Sequence, residues 1–225
     1  MLKKSLFYTY FIQIYSALIN VLLVPFYLNL LGIEQFGLIG FFTLLQNIMM
    51  ILDGGISSSI SRQTAITKHN SFLFNDFLFI FRKIIISFSF IAIFIFIFTY
   101  VMNDYIINTW IKSNINKDVL AISTISMFLV VALKYISGPF SGILIGLEEH
   151  TLLSKLNFLF ITLKFPMGLV VLYIFGSSVS NYFIYQIFVS IFELSTLFIV
   201  AKYKSHIIIN KKSIKKEENK SSFKS

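Results

Sequence analysis

Three ionisable residues stand inside stretches otherwise too apolar to hold charge: Asp53, Lys134 and Lys164. A charge at the centre of a membrane-spanning helix costs roughly 2.5 to 3.5 kcal/mol on insertion scales, so such residues face a water-filled cavity or a partner. Asp53 precedes Arg62 by nine residues, roughly 13 Å of helix, which puts it inside a bilayer toward one face. Lys134 lies about sixteen residues into one apolar stretch and Lys164 about thirteen into the next, so the three share a similar depth. Two cations and one acid around a common wet vestibule would attract a diphosphate and keep a titratable acid beside it for a coupling cation. Arg62 is a further candidate for the anion and Glu193 for the cation. The competing reading is that Asp53 pairs with a lysine simply to join two helices.

Weaker polar stripes accompany these charges. Gln13 and Asn20, and likewise Gln186 and Glu193, are seven residues apart and so share a helix face. Gln46 and Asn47 follow the same logic, and interhelical hydrogen bonding explains such amides equally well. Lys155 reads as a residue snorkelling to an interface. His69, His150 and His206 fall in separate predicted loops without ligand spacing, and cysteine is absent, so neither a metal nor a cofactor is expected. No phosphate-binding glycine loop, nucleophile elbow or carboxylate pair points to an enzyme.

The elements that must position these groups follow from composition. Of 225 residues, 56% are hydrophobic and 13% charged, with a mean hydropathy of +0.81, which leaves too little polar surface for a protein dissolved in water. With roughly 20 apolar residues per crossing, the chain has room for six spans. They are predicted at residues 6–31, 36–61, 84–101, 119–147, 151–175 and 181–201, an all-α integral membrane fold. The region 1–204 forms the transmembrane unit, and 205–225 is a lysine-rich cytoplasmic tail too polar to fold alone. Lys3 and Lys4 precede an apolar run that continues to about Leu31 with no convincing small-residue cleavage site, so it is read as a retained helix and not a signal peptide. Residues 63–77 are expected to be a linker, and residues 103–118 an external loop with Trp110 near the headgroups.

Orientation follows from the basic residues. With the N-terminus in the cytoplasm, Lys3, Lys4, Arg62, Lys68, Arg82, Lys83, Lys155 and eight tail lysines lie inside, against Lys112 and Lys117 outside. Both termini are therefore expected in the cytoplasm. The net charge of +9 reads as attraction to anionic headgroups, each nearby lysine contributing about 1 kcal/mol, and not as nucleic-acid binding. Pro25, Gly32 and Glu34 recur as Pro139, Gly146 and Glu148 at an offset of 114 residues. Three spans separate the copies, as in inverted transporter repeats.

The segment Pro25-Phe-Tyr-Leu-Asn-Leu-Leu-Gly32-Ile-Glu34-Gln-Phe-Gly37-Leu, followed by Asp53-Gly-Gly55-Ile-Ser and Arg62, resembles the N-terminal signature of Wzx-type polysaccharide flippases. These belong to the multidrug/oligosaccharidyl-lipid/polysaccharide exporter superfamily. Pro139-Phe-Ser-Gly142-Ile-Leu-Ile-Gly146-Leu-Glu148 is similar to that family's fourth helix, and Tyr182-Phe-Ile-Tyr-Gln186 to the start of its sixth. The resemblance implies two six-helix lobes around a cavity that opens alternately to each side of a bacterial inner membrane. It also implies a cargo of undecaprenyl-diphosphate-linked O-antigen or capsular oligosaccharide, moved outward in exchange for protons or sodium. Asp53 and Arg62 match positions where family members carry charge, whereas Lys134 and Lys164 rest on membrane physics alone. Members of that family have about twelve helices, so six imply one lobe that works with a second half or another copy. The alternatives left open are a non-transporting scaffold or remnant of polysaccharide assembly, and a drug/cation antiporter of the same superfamily, which two lysines suit poorly.

Overall fold

The computed structural model describes residues 2–53, 55–110 and 114–222, with side chains described between Tyr8 and Ile208 except at 50, 52, 71 and 110. Gly54, Lys112, the side chains of Lys3, Lys4 and Trp110, and those of the tail lysines beyond Lys204 lie outside the described residues. Among the described residues every regular element is helical: α1 Leu2–Leu52, α2 Ile56–Thr67, α3 Ser71–Tyr105 ending in a wider π-helical turn Ile106–Trp110, α4 Lys117–Gly146, α5 His150–Lys164, α6 Pro166–Phe175 and α7 Val179–Ser222. Five helical stretches are long and apolar enough to cross a membrane, the hallmark of a multi-pass membrane protein.

Five stretches stand where six spans were predicted, because the first two predicted spans share one helical run. The apolar part of that run, Tyr8–Met49, has 42 residues, roughly 63 Å of helix against about 30 Å of hydrocarbon. A straight rod of that length does not fit. Gly32 interrupts it with φ 73° and ψ 169°, a conformation essentially confined to glycine. The contacts of the two limbs give their directions. Thr9 meets Ser154 (3.2 Å), Tyr15 meets Thr162 (3.0 Å) and the Tyr27 hydroxyl donates to the Phe165 carbonyl (2.8 Å), so the first limb runs alongside α5 in the same sense. The second limb follows α4 in the same sense, from Glu34 beside Asn114 to Asp53 beside Lys134 and Tyr135. α4 and α5 are antiparallel, because Lys134 and Lys164 flank the turn at Leu147–Glu149 and both reach Glu193. The limbs of α1 are therefore antiparallel too, and the chain doubles back at Gly32.

The expected linker at 63–77 is much shorter. α2 extends to Thr67, and Asn70 opens α3 by accepting from the Phe72 amide at 3.0 Å, the capping role that asparagine takes readily. α3 consequently starts thirteen residues ahead of the predicted span at 84. The predicted fifth span is divided by Pro166, which cannot donate an amide hydrogen bond. α7 carries its helical backbone through residues 205–222 as a continuation of the apolar segment before them, with no new nucleus required.

Packing uses small residues where helices approach closely, as expected where lipid rather than water competes for the apolar faces. Gly138, Gly142 and Gly146, four residues apart on α4, lie against Ser57, Ser61 and Thr64 of α2. A Cβ at Gly142 would stand 2.6 Å from the Ser57 carbonyl, and one at Gly146 would collide with the Ser61 carbonyl. The core separates into two apolar clusters. One gathers Tyr27, Leu31, Phe42, Met127, Leu172 and Phe183, and the other Phe74, Phe81, Phe140, Leu144, Phe160 and Leu197. Between them runs a belt of polar groups.

Candidate functional site

The belt is built by three helices that each contribute one charge at the same level. Glu193 is 2% exposed on α7. Its Oε1 receives the Lys134 ammonium from α4, and its Oε2 receives the Lys164 ammonium from α5 at 2.5 Å. Each carboxylate oxygen thus carries its own cation, and the three groups together retain one positive charge. The two lysines differ in access: the Lys164 side chain is 16% exposed and that of Lys134 45%.

Lys164 is the last residue of α5, directly ahead of the break at Phe165 and Pro166. Three side chains satisfy carbonyls there. Tyr185 donates to Leu163 (2.9 Å), Gln186 to Lys164 (2.8 Å) and Tyr27 to Phe165 (2.8 Å). Gln186 and Glu193, two turns apart on α7, therefore grip the backbone and the side chain of the same lysine. The face inferred from their spacing is the face that packs on α5.

Two cavities meet at Lys134. The first, about 510 Å³, is lined by Gln13 and Ser16 of α1, Lys134, Asn157, Lys164 and Glu193. The second, about 550 Å³, lies between the second limb of α1, α2 and α4, and is lined by Gln46, Asn47, Asp53, Ser57, Lys134 and Tyr135. Asp53 occupies the gap between α1 and α2. Its carboxylate accepts from the Ser57 amide (3.2 Å) and the Ser57 hydroxyl (3.0 Å), which starts α2 as a capping group. The neighbouring Gly55, at φ 82°, supplies the left-handed turn.

The predicted site residues divide accordingly. Lys134, Lys164 and Glu193 converge. Asp53 shares a cavity wall with Lys134 but stands outside the Glu193 cluster, so the acid held between the lysines is Glu193. Arg62 is exposed on α2 and lines neither cavity. Asn20 is exposed and lines neither, while Gln13, Gln46 and Asn47 line one each. Lys155 reaches the Tyr8 ring at 5.9 Å. His150 opens α5 and His206 lies within α7, where loops were expected, and no group of three metal-binding side chains occurs among the described residues. The glycine seam of α4 and the tyrosine stitches at Pro166 were not anticipated. Four-residue glycine spacing is the signal that could have revealed the seam.

The acids of the 114-residue echo end in comparable positions. Glu34 accepts from the Asn114 amide (3.0 Å) and side chain (2.9 Å), tying the Gly32 turn to the segment before α4. Glu148, at φ 64°, receives Lys68 at 2.5 Å and ties the α4–α5 turn to the α2–α3 turn. That pairing holds the Glu148 carboxyl below the ordinary carboxylate range, with the Lys68 hydrogen bond the main cause and its charge the next.

Among known proteins, the family model described as "Polysaccharide biosynthesis protein" matches residues 2–224. No curated protein and no solved structure matches the chain.

Proposed function

We propose, for a chain that belongs to the polysaccharide biosynthesis protein family, that it acts as a six-crossing lobe of a Wzx-type flippase. Its cargo is an oligosaccharide carried on a polyprenyl diphosphate of the undecaprenyl type, O-antigen or capsular in kind. The cargo moves from the cytoplasmic to the periplasmic leaflet of the inner membrane, with both termini of the chain in the cytoplasm. The observation that carries this reading is the surplus of one positive charge at Lys134, Lys164 and Glu193, beside a cavity large enough for a phosphorylated headgroup.

An uncompensated ammonium at that depth is costly unless water or an anion meets it. Glu193 neutralises one lysine and leaves the other for the cargo. Lys134 is the better donor to an incoming diphosphate, since it is the more exposed and opens on both cavities. Lys164 supports it from beneath, and exposed Arg62 attracts the anion at the cytoplasmic mouth. No covalent chemistry is required: charge complementarity holds the diphosphate while the lobe rocks against a second half or a second copy. Asp53 and Glu193 are the carboxylates available to couple a proton or sodium ion: Glu193 is paired with Lys134, and Asp53 lines a cavity with that lysine. A cationic cargo is disfavoured by the same surplus charge.

The test is complementation of a flippase-null strain by this chain, with and without a second-half polypeptide, scored by surface polysaccharide. Restored export in either arm supports the reading, and failure of both despite stable membrane insertion overturns it. One observation favours a non-transporting scaffold: both oxygens of Glu193 are already engaged within the chain. Lys134→Leu and Lys164→Leu separate the two readings, because a scaffold keeps its partners in the assembly while a flippase loses export.

A further inference from the structure

A third cavity, of about 440 Å³, lies away from the charged belt, between α3 and α7. Its polar wall carries Arg82, Lys202 and Ser205, with Asn75 and His206 beside them, and no acidic residue lines it among the described residues. Its other walls are aromatic, formed by Phe79, Phe81, Phe140 and Phe198. Ser205 is 5% exposed, and its hydroxyl has no hydrogen-bond partner among the described residues. A buried hydroxyl left unpaired costs on the order of its desolvation, so a group that fills this cavity and accepts from Ser205 removes a real penalty.

From the positions of its basic residues, the groove is expected at the level where hydrocarbon gives way to headgroups. Arg82 and Lys83 immediately precede the uninterrupted apolar run of α3, and Lys202 follows the apolar part of α7. The Lys83 ammonium stands 4.8 Å from the centre of the Phe79 ring and the Lys202 ammonium 5.9 Å from that of Phe198, cation–π contacts that hold the two charges beside the aromatic wall. From the groove, Ile86, Phe90 and Phe94 form an exposed apolar stripe along α3, with Phe90 69% and Phe94 68% exposed. These residues are seven, eleven and fifteen positions beyond Phe79, hence on one helix face. A ligand with a phosphate at one end and an acyl chain at the other fits this sequence of surfaces from polar to apolar.

We infer that the α3–α7 groove is a binding site for an anionic membrane phospholipid. The phosphate meets Arg82, Lys202 and the Ser205 hydroxyl, and an acyl chain follows the Phe79 to Phe94 stripe. A free phosphate shares the polar half of this chemistry but has no use for the stripe, and so the lipid is the occupant. The site is independent of the Lys134, Lys164 and Glu193 cluster and of any cargo.

The experiment uses the full chain in lipid nanodiscs containing phosphatidylcholine and a photoactivatable phosphatidylglycerol. Cross-links are expected on peptides covering residues 75–94 and 198–206. Adducts spread over the lipid-facing surface in proportion to exposure overturn the site. Native mass spectrometry of the released protein is expected to show phosphatidylglycerol retained over phosphatidylcholine. In Arg82→Gln/Lys202→Gln that retention should fall roughly 10- to 30-fold, as removal of two basic contacts to an anionic lipid predicts. Unchanged retention overturns the proposal. Competition with millimolar inorganic phosphate distinguishes the sources: phosphatidylglycerol should stay bound, and its displacement would identify a phosphate site and sink the lipid assignment. The wild-type cross-linking stands even if the double variant does not fold.

Discussion

Lys164 sets its ammonium 2.5 Å from Oε2 of Glu193, across a contact that joins the end of one helix to the middle of another. Removing Glu193 leaves two lysines at membrane depth with no acid between them. Glu193→Gln is expected to lower stability by about 3 to 5 kcal/mol, the loss typical when one partner of a buried pair is removed. Thermal unfolding in detergent measures it. A change within about 0.5 kcal/mol, the range of ordinary surface substitutions, would show that the carboxylate does not hold the helices together.

Removing one lysine has a different consequence. Lys134→Leu leaves Glu193 paired with Lys164, so the fold should be retained with a loss of no more than about 1 kcal/mol, comparable to an exposed ion pair. The site then carries no net charge, and uptake of a polyprenyl diphosphate into proteoliposomes should fall at least about tenfold, the effect of one lost charge-assisted contact. Normal uptake by a well-folded Lys134→Leu protein would remove this lysine from the cargo path.

The glycines divide by what surrounds them. Gly142→Ala sets a Cβ 2.6 Å from the Ser57 carbonyl, so α2 and α4 must separate, at a cost of about 1 to 3 kcal/mol. Gly37 and Gly40 have no neighbour within 4 Å of the corresponding position. Alanine there should be neutral or stabilising by about 0.5 to 1 kcal/mol, through helix propensity alone. Parallel melting curves of the three variants give the comparison, and equal shifts would refute the seam.

The Lys68–Glu148 tie is sensitive to acid. Glu148 ordinarily titrates near 4.5, and Lys68 lowers it in the folded chain. A lowered acid contributes its stabilisation in full above the ordinary value and loses it as pH falls through the lowered one. The two turns should therefore stay joined at neutral pH and come apart only in acid below the usual carboxylate range. Lys68→Gln should return the Glu148 titration, followed by carboxylate carbon NMR, toward 4.5. An unmoved titration would mean that the pair does not form in solution.

Much of the site was legible without coordinates. Lys134 lies fifteen residues before Glu149 and Lys164 fifteen after it. Any hairpin turning there brings both to one depth, because helices rise equally on each side. The next turn, Gly176–Ser178, returns Glu193 to nearly that level by the same arithmetic. Asp53 arrives at a similar depth too, and this is where arithmetic stops: depth says nothing about the direction a side chain faces around the helix axis. The break at Gly55 and the two hydrogen bonds from Ser57 turn Asp53 toward α2.

The sequence by itself determined that this chain lives in lipid, that it is helical, and where its charges would be costly. Those are local properties, set by hydrocarbon thickness, transfer energies and the backbone limits of single residues. Only the tertiary structure decided that Glu193 and not Asp53 receives both lysines, that Gly138, Gly142 and Gly146 admit α2 at backbone distance, and that Ser205 is buried without a partner in a basic groove. Each of these depends on rotation and proximity between helices far apart in the chain, and no spacing along one helix fixes the angle at which another meets it.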